Sequence, residues 1–479
     1  MFWQLDNIVE SDPVIYDDTE QRKFTYGELK KLGCSFSKSV ESLQKQLAFV
    51  YCENSFRCIL AYLSLLRAGH AVFLTDSEID PVLGKKLLQT YRPDFIWHPH
   101  SKEDGFPEFE KISLEYENHI FYRKKRNERS PIHPDLAILL STSGTTGSPK
   151  LVRLSYQNIQ SNAQSIVSYL KIAKEEKAIT TLPLHYSFGL SILHSYLAAG
   201  AQIICTKKSV VEKGFWPLFK EQSCTSLSGV PYTYQILKRL RFHRMNLPSL
   251  KNMTQAGGRL DPEDIQYFLE IAQSKNIQFF VMYGQTEAAP RISYVPDNRL
   301  QEKIGSIGIP VPNGTMKLVQ QGIEIFGSDK EGELVFQGAN VMMGYAQEKA
   351  DLSKGDEQNG ILHTGDLAIR DKDSFYWITG RLKRIIKIYG LRINLDEIEQ
   401  MLESKLGKPV ACLGKDDILS IVIESNETQT AQQALQHVIE LYHLHRSVLY
   451  AYCDSTLPFT PSGKKNYQEI QSRIVNGLL

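Results

Sequence analysis

Apolar runs of strand length, separated by longer helical patterns, constrain this chain more than any other feature. KQLAFVYC (45–52), HAVFLT (70–75), DLAILLST (135–142), AQIICT (201–206) and IQFFVMYG (277–284) are each rich in β-branched and aromatic residues. Between the first two lies RCILAYLSLLRAG (57–69), whose apolar residues form a wide face and which ends in Gly69. Strand and helix in alternation specify an α/β fold with largely parallel sheets. At 479 residues the chain has room for about three domain-sized units.

The pattern then changes. The polar, basic segment 121–135 (FYRKKRNERSPIHPD) reads as a linker between two α/β blocks. From about 301 to 380, KIGSIGIPV, GTMKLVQ, GELVFQG and FYWITG are short strands divided by turn residues, which predicts a compact β subdomain. After Gly380, KRIIKIYGLRIN reads as a hairpin running into a helix at NLDEIEQMLESKL, with Asn394 and Glu397 at capping-box spacing. ILSIVIE (418–424), TAQQALQHVIELY (430–442) and SVLYAYC (447–453) follow as strand, helix and strand, giving a small α+β domain of about one hundred residues.

Lys plus Arg total 55 and Asp plus Glu total 54, so charge gives no support for a nucleic-acid or membrane-surface binder. No run of 18 apolar residues predicts a membrane span, and the opening MFWQLDNIVESD lacks the basic start of a secretory signal. Seven scattered cysteines with no C-x-x-C pair point to reduced thiols and a cytoplasmic protein.

The strongest local motif is STSGTTGSPK (141–150), directly after a strand. Small residues let backbone N–H groups approach an anion, hydroxyls add donors, and Lys150 adds charge. It is a phosphate cradle in character, though not the Walker spacing. YGQTE (283–287) places an aromatic ring, a glycine, a hydroxyl and a carboxylate at a strand end, where α/β folds bind ligands. HTGDLA (363–368) sets Asp366 after a tight turn, GRLKRIIKIYGLR (380–392) puts Arg381 and Lys383 at a domain boundary, and TPSGKKNY (460–467) is a polar loop near the C-terminus.

Together and in this order, these segments resemble the motifs of the adenylate-forming (ANL) superfamily, which contains acyl-CoA synthetases, peptide-synthetase adenylation domains and luciferases. The resemblance runs from about residue 24 to residue 467. It implies an N-terminal AMP-binding domain (1–382, with two α/β subdomains at about 1–130 and 131–300 and a β subdomain at 301–380) and a small mobile α+β lid (383–479). It also implies a two-step reaction. A carboxylate attacks the α-phosphate of ATP to give an acyl-adenylate and pyrophosphate, and a pantetheine thiol of CoA or of a carrier protein then displaces AMP.

By the same resemblance, Ser141, Thr142, Ser143, Gly144, Thr145, Thr146, Gly147 and Lys150 hold the β,γ-phosphates. Tyr283, with Gly284, stacks on adenine; Thr286 faces the α-phosphate; Glu287 holds Mg²⁺. Gly257, Gly258 and Arg259 lie along adenine and the acyl group, and Asp366 binds the ribose with Arg381 beside it. Lys464, rather than Lys465, is the mobile lysine of adenylation. Lys383 is the hinge, and Tyr389, Gly390 and Leu391 border the thiol channel.

The segment LPLHYSFGLSIL (182–193) matches the family's acid pocket, through His185, Tyr186, Ser187, Phe188 and Gly189. His185 corresponds to the histidine or aromatic common in acyl and aryl-acid ligases. Gly189 stands where peptide-synthetase domains place an Asp that pairs with the substrate's amino group, so an α-amino acid would leave an unpaired ammonium. The expected substrate is therefore a carboxylic acid with an uncharged acyl or aryl chain. The loop before Glu397-Ile398-Glu399 lacks the proline common in free-CoA ligases, which keeps a free-standing acyl carrier protein open as acceptor beside CoA. The competing readings are an adenylate-forming enzyme with an amine or oxidative second step, and a non-catalytic nucleotide-binding relative.

Overall fold

The computed structural model describes residues 1–6, 8–99, 106–112, 120–125, 130–141, 150–388, 391–415, 418–442, 444–460 and 463–478. The chain is mixed α/β and forms two compact units, Met1–Thr315 with Phe336–Leu362, and Met316–Val335 with His363–Leu479.

The first unit holds two large sheets. In one, Leu47–Cys52 lies between Ala71–Asp76 and Phe95–His98, parallel to both, and Leu136–Ser141 adds in parallel beyond Ala71–Asp76. The expected strands at 45–52, 70–75 and 135–142 thus form side by side. Leu47–Cys52 is buried along its whole length, because helices cover both faces of a parallel sheet and no polar side remains. The helix Phe56–Arg67 follows the expected pattern; the Ser55 hydroxyl caps its first turn, and Gly69, at φ +82°, turns the chain into the next strand.

The first residues of the basic stretch at 121–135 depart from the linker expectation, while 126–129 lie outside the described residues. Ile120–Lys124 is a strand paired with Phe95–His98 and with Phe109–Ile112. Phe121 and Tyr122 are buried while Arg123 and Lys124 are half-buried, so residues 120–124 are part of the sheet rather than a solvated connector.

In the second sheet, Ser226–Gly229, Asn252–Gln255 and Gln278–Gly284 run parallel and in register. Lys177–Ile179 lies parallel beside Ser226–Gly229, and Arg291–Tyr294 turns back antiparallel on Gln278–Gly284. The carboxyl ends of the parallel strands therefore deliver residues 181–191, 256–259 and 283–287 to one edge of the sheet, where open α/β sheets bind ligands.

The second unit contains most of a five-stranded sheet in the order Ile323–Ile325, Thr315–Gln320, Gly332–Gln337, Ile361–Arg370, Tyr376–Arg381. It also contains the expected hairpin, Ile385–Ile388 with Leu391–Asn394, and a three-stranded sheet of Val410–Lys415, Ile418–Glu424 and Leu449–Asp454. Ile386, Ile388, Ile393, Ile398, Leu402 and Val438 share one core that ties the hairpin to the helices Leu395–Leu406 and Thr428–Tyr442. Asn394 is the N-cap of the first of these helices, but its side chain accepts from the Asp396 N–H, and Glu397 meets the Asn394 amide rather than its backbone. The two residues form a shifted cap and not the reciprocal box.

Candidate active site

Three motifs far apart in sequence meet in the first unit. The Ser187 hydroxyl lies 3.2 Å from the Thr286 hydroxyl, which links the HYSFG segment to YGQTE. Gly257, at φ +86°, sits so close to Tyr186 that an added Cβ would stand 2.6 Å from the phenol oxygen. Both its backbone angle and this approach require glycine. Gly284 is equally constrained, since a Cβ there would fall 1.8 Å from the Pro290 carbonyl oxygen. Gly258 accepts a hydrogen bond from the Gln255 amide at 2.9 Å, and Arg259 is exposed. Tyr283 ends its strand half-buried, and the Gln285 amide donates to its phenol at 3.3 Å.

Ser141 is the exposed last residue of its strand, while Thr142, Ser143, Gly144, Thr145, Thr146 and Gly147 lie outside the described residues. Lys150 is described. Its ammonium stands 3.4 Å from the centre of the Tyr345 ring, and the Tyr345 hydroxyl donates to Glu287 Oε1 at 2.9 Å. Cation, aromatic ring and carboxylate thus form one chain of contacts. Burial pushes the Tyr345 phenol well above its usual range, and the Glu287 carboxylate beside it pushes further the same way, so Tyr345 stays a donor at neutral pH. Sequence reasoning missed Tyr345; nothing in GYAQ marks a ligand-facing aromatic.

His185 is not a satisfied core residue. Its Nδ1 is buried with no hydrogen-bond partner among the described residues, and Nε2 is 3.9 Å from Asp76 Oδ2. Burial pulls its pKa down and Asp76 only partly opposes this, so the imidazole is neutral at pH 7. Tyr186 precedes the helix Ser187–Ala198, and burial raises its phenol pKa. Gly189 has a packing cause of its own: a Cβ would meet the Pro183 carbonyl oxygen at 2.2 Å. Phe188 lies under the guanidinium of Arg291, 4.2 Å from the ring centre, and burial lowers the Arg291 pKa. Arg291 was also missed; a lone charge in the alternating strand RISY was the available signal.

A cavity of about 620 Å³ opens beside Tyr345, lined by Gln347, Glu348, Asp351, Lys354, Glu357 and Gln358. Three carboxylates against one lysine make that wall unsuited to a triphosphate.

In the second unit, Asp366 and Arg381 are paired across neighbouring strands, with Arg381 Nε donating to Asp366 Oδ1 at 2.9 Å. Asp366 is buried, whereas Arg381 is mostly exposed. Lys383 lies in the turn Leu382–Arg384, between the five-stranded sheet and the hairpin. Tyr389 and Gly390 lie outside the described residues, and Leu391 opens a hairpin strand.

The two C-terminal lysines separate cleanly. Lys465 forms a β-bridge with Phe459 and turns inward, its amine 2.8 Å from Glu399 and 2.9 Å from Glu403. Burial opposes its charge, but the two carboxylates outweigh burial and raise its pKa. The Lys464 N–H donates to the Thr460 hydroxyl at 3.2 Å, and Lys464 is not among the described partners of Glu399 or Glu403. Its backbone is fixed by Thr460 N–H donating to the Lys464 carbonyl at 2.7 Å.

The AMP-binding enzyme family model matches residues 7–346 of the chain. The chain belongs to this family. Among its relatives are a long-chain-fatty-acid–CoA ligase of Escherichia coli O157:H7, 30% identical over 319 residues, and a luciferin 4-monooxygenase of Nipponoluciola cruciata, 26% identical over 317. Each match covers 63% of this chain, and 54% and 57% of the respective relatives. The chain thus spans less than two thirds of the curated relatives' length. Among solved structures, o-succinylbenzoate CoA synthetase (MenE) from Bacillus subtilis, in complex with ATP and magnesium, superposes with a TM-score of 0.78 at 20% identity over 98% of both chains. ATP-bound MatB from Rhodopseudomonas palustris gives 0.75 at 18% identity. At these identities the likeness concerns the adenylating-enzyme fold. No helix among the described residues is long and apolar enough to cross a membrane.

Proposed function

We propose that the chain is an AMP-forming acid–thiol ligase. It activates a carboxylic acid other than an α-amino acid with ATP, giving an acyl-adenylate and pyrophosphate, and passes the acyl group to a pantetheine thiol of CoA or of a separate carrier protein. The observation that carries this reading is the convergence of Lys150, Tyr345, Glu287, Thr286, Ser187 and Tyr186 in one unit of an AMP-binding enzyme.

The roles follow from the chemistry of these groups. Lys150 and the 141–147 segment hold the β,γ-phosphates. Tyr283 stacks on adenine, beside Gly257, Gly258 and Arg259. Thr286 donates to the α-phosphate. Glu287, fixed through one oxygen by Tyr345, fits Mg²⁺, which takes one or two carboxylates together with phosphate oxygens. When bound, Mg²⁺ supplies charge neutralisation at the phosphates. Neutral His185 and Tyr186 border the acid, and an uncharged imidazole there does not compete with the phosphates for the carboxylate. Asp366 takes the ribose hydroxyls with Arg381, Lys464 supplies the cation of adenylation, Lys383 is the hinge between half-reactions, and Leu391 lies on the thiol side. All seven cysteines are free thiols, which supports a cytoplasmic setting.

The test is acid-dependent exchange of labelled pyrophosphate into ATP across a carboxylic-acid panel. Transfer to CoA and to a phosphopantetheinylated carrier protein is then measured with the best acid. Exchange with non-amino acids and thioester formation are expected; exchange with amino acids alone would overturn the reading.

A further inference from the structure

Two residues with different ligands meet on one side chain. Lys150 precedes the strand Leu151–Ser155, and Gly344–Ala346 pairs with that strand antiparallel, Tyr345 opposite Val152 and Ala346 opposite Leu151. One further step of this register makes Lys150 and Tyr345 diagonal neighbours on one face, a separation that long side chains span. The Lys150 ammonium accordingly stands 3.4 Å from the centre of the Tyr345 ring. The hydroxyl of the same ring donates to Glu287 Oε1 at 2.9 Å.

The backbone holds Tyr345 against both neighbours. The Met342 N–H donates to the Glu287 carbonyl at 2.9 Å, and the Met343 N–H to the Arg153 carbonyl at 2.9 Å. Arg153 Nε donates in return to the Tyr345 carbonyl at 3.1 Å. Gly344, at φ +132°, lets the two chains approach, since a Cβ there would stand 2.8 Å from Arg153 Nη2. Residues 342–345 are therefore bound on one side to the strand that follows Lys150 and on the other to Glu287.

The two contacts use different parts of the tyrosine. A cation over a ring face engages one side of the ammonium and leaves its other N–H donors for phosphate oxygens. A phenol on one carboxylate oxygen sets the orientation of that carboxylate, and magnesium, which demands near-ideal octahedral geometry, is bound best by a ligand so oriented. We propose that Tyr345 is a positioning residue that joins the phosphate-binding lysine to the metal-binding carboxylate: its ring places Lys150 for the β,γ-phosphates, and its hydroxyl places Glu287 for Mg²⁺. This rests on the acid–thiol ligase reading and adds to it a residue that acts through two others.

The experiment is equilibrium dialysis of labelled ATP across a magnesium titration with no acid present, beside acid-dependent pyrophosphate exchange and thermal melting. Tyr345→Phe keeps the ring and loses the hydroxyl. Its magnesium concentration for half-maximal ATP binding should rise about tenfold, while its ATP Kd at saturating magnesium stays within about twofold of the wild type. In the Glu287→Gln background the same substitution should add no further shift. Tyr345→Met (or Tyr345→Leu if the first melts early) loses the ring as well, and should bind ATP about fivefold more weakly than Tyr345→Phe at saturating magnesium. An unchanged magnesium midpoint in Tyr345→Phe, an additive shift on Glu287→Gln, or equal ATP affinity with and without the ring would each overturn the proposal. A wild type that binds ATP with magnesium but exchanges pyrophosphate with no acid would instead count against the ligase reading, while the dialysis would still decide the role of Tyr345.

Discussion

Lys464 and Lys465 are adjacent and chemically identical, yet their removal should damage different properties. Glu399 is the centre of the difference. One of its oxygens accepts the Cys412 N–H at 2.6 Å and the Arg384 guanidinium; the other accepts the Lys465 ammonium at 2.8 Å and the Tyr467 hydroxyl at 2.9 Å. Its side chain is only 6% exposed. Removing one partner of a buried ion pair costs about 3–5 kcal/mol. Here Arg384 stays behind and keeps Glu399 compensated, and Glu403 is one-third exposed, so the lower end applies. Lys465→Ala should therefore cost about 3 kcal/mol and lower the first melting transition by several degrees. Lys464 is not among the described partners of Glu399, so Lys464→Ala should leave this cluster intact. It should reduce pyrophosphate exchange by about 10²–10³, the loss typical of one transition-state donor. Thioester formation from supplied acyl-adenylate should survive. The assays are exchange, single-turnover transfer and thermal melting on the same preparations. The reasoning fails if Lys465→Ala melts like the wild type and loses exchange, or if Lys464→Ala retains exchange.

Three other outcomes follow from the same geometry. Glu287→Gln keeps a partner for the Tyr345 hydroxyl but loses the charge, so exchange should fall by a factor worth a few kcal/mol and should not recover across a magnesium titration. His194 is fully buried, 2.7 Å from the Tyr62 hydroxyl, and burial pulls its pKa down to about 3. The unfolded chain takes up a proton near pH ~6.5 that the fold refuses, so stability is lost as pH falls from there towards 3. Between pH 7 and 5 this amounts to about 2 kcal/mol, and His194→Gln should narrow the wild type's drop in urea midpoint stability by that amount; an unchanged drop would show that His194 is not the group responsible. Lys383→Pro fixes φ and removes a backbone donor within the turn Leu382–Arg384, so acyl-AMP formation and thioester transfer should change by different factors in single-turnover assays; parallel changes would refute a hinge there.

The fold was legible wherever burial on both faces wrote an unbroken apolar run. The strands at 47–52, 136–141, 202–205 and 278–284 fall within runs visible in the sequence, and 71–76 overruns its run by one residue. It was illegible where a short strand runs into a basic segment. In Ile120–Lys124 the buried Phe121 and Tyr122 are followed at once by Arg123 and Lys124, and a window centred on the basic run sees only charge. The cap at Asn394 failed for a different reason. The residue types and spacing of a capping box were present, but Asn394 also spends its amide on the Thr379 carbonyl, 3.3 Å away, and tertiary contact overrode the local pattern.

The site divides along the same line between local and tertiary information. Motifs of fixed spacing, such as YGQTE and AGGR, announce themselves, because glycines are demanded where chains approach closely: Gly257 against Tyr186 and Gly284 against Pro290. What a side chain pairs with is not local. Gly189 looked like a vacancy left by an absent aspartate, yet the Pro183 carbonyl would exclude any side chain there, whatever the substrate. Arg291 looked like one charge in a short strand, and its burial against Phe188 and its hydrogen bond to Tyr169 are set by tertiary packing. An aspartate at 189 would have required a different backbone at 183, so the absence of a carboxylate there has a packing cause before it has a substrate one.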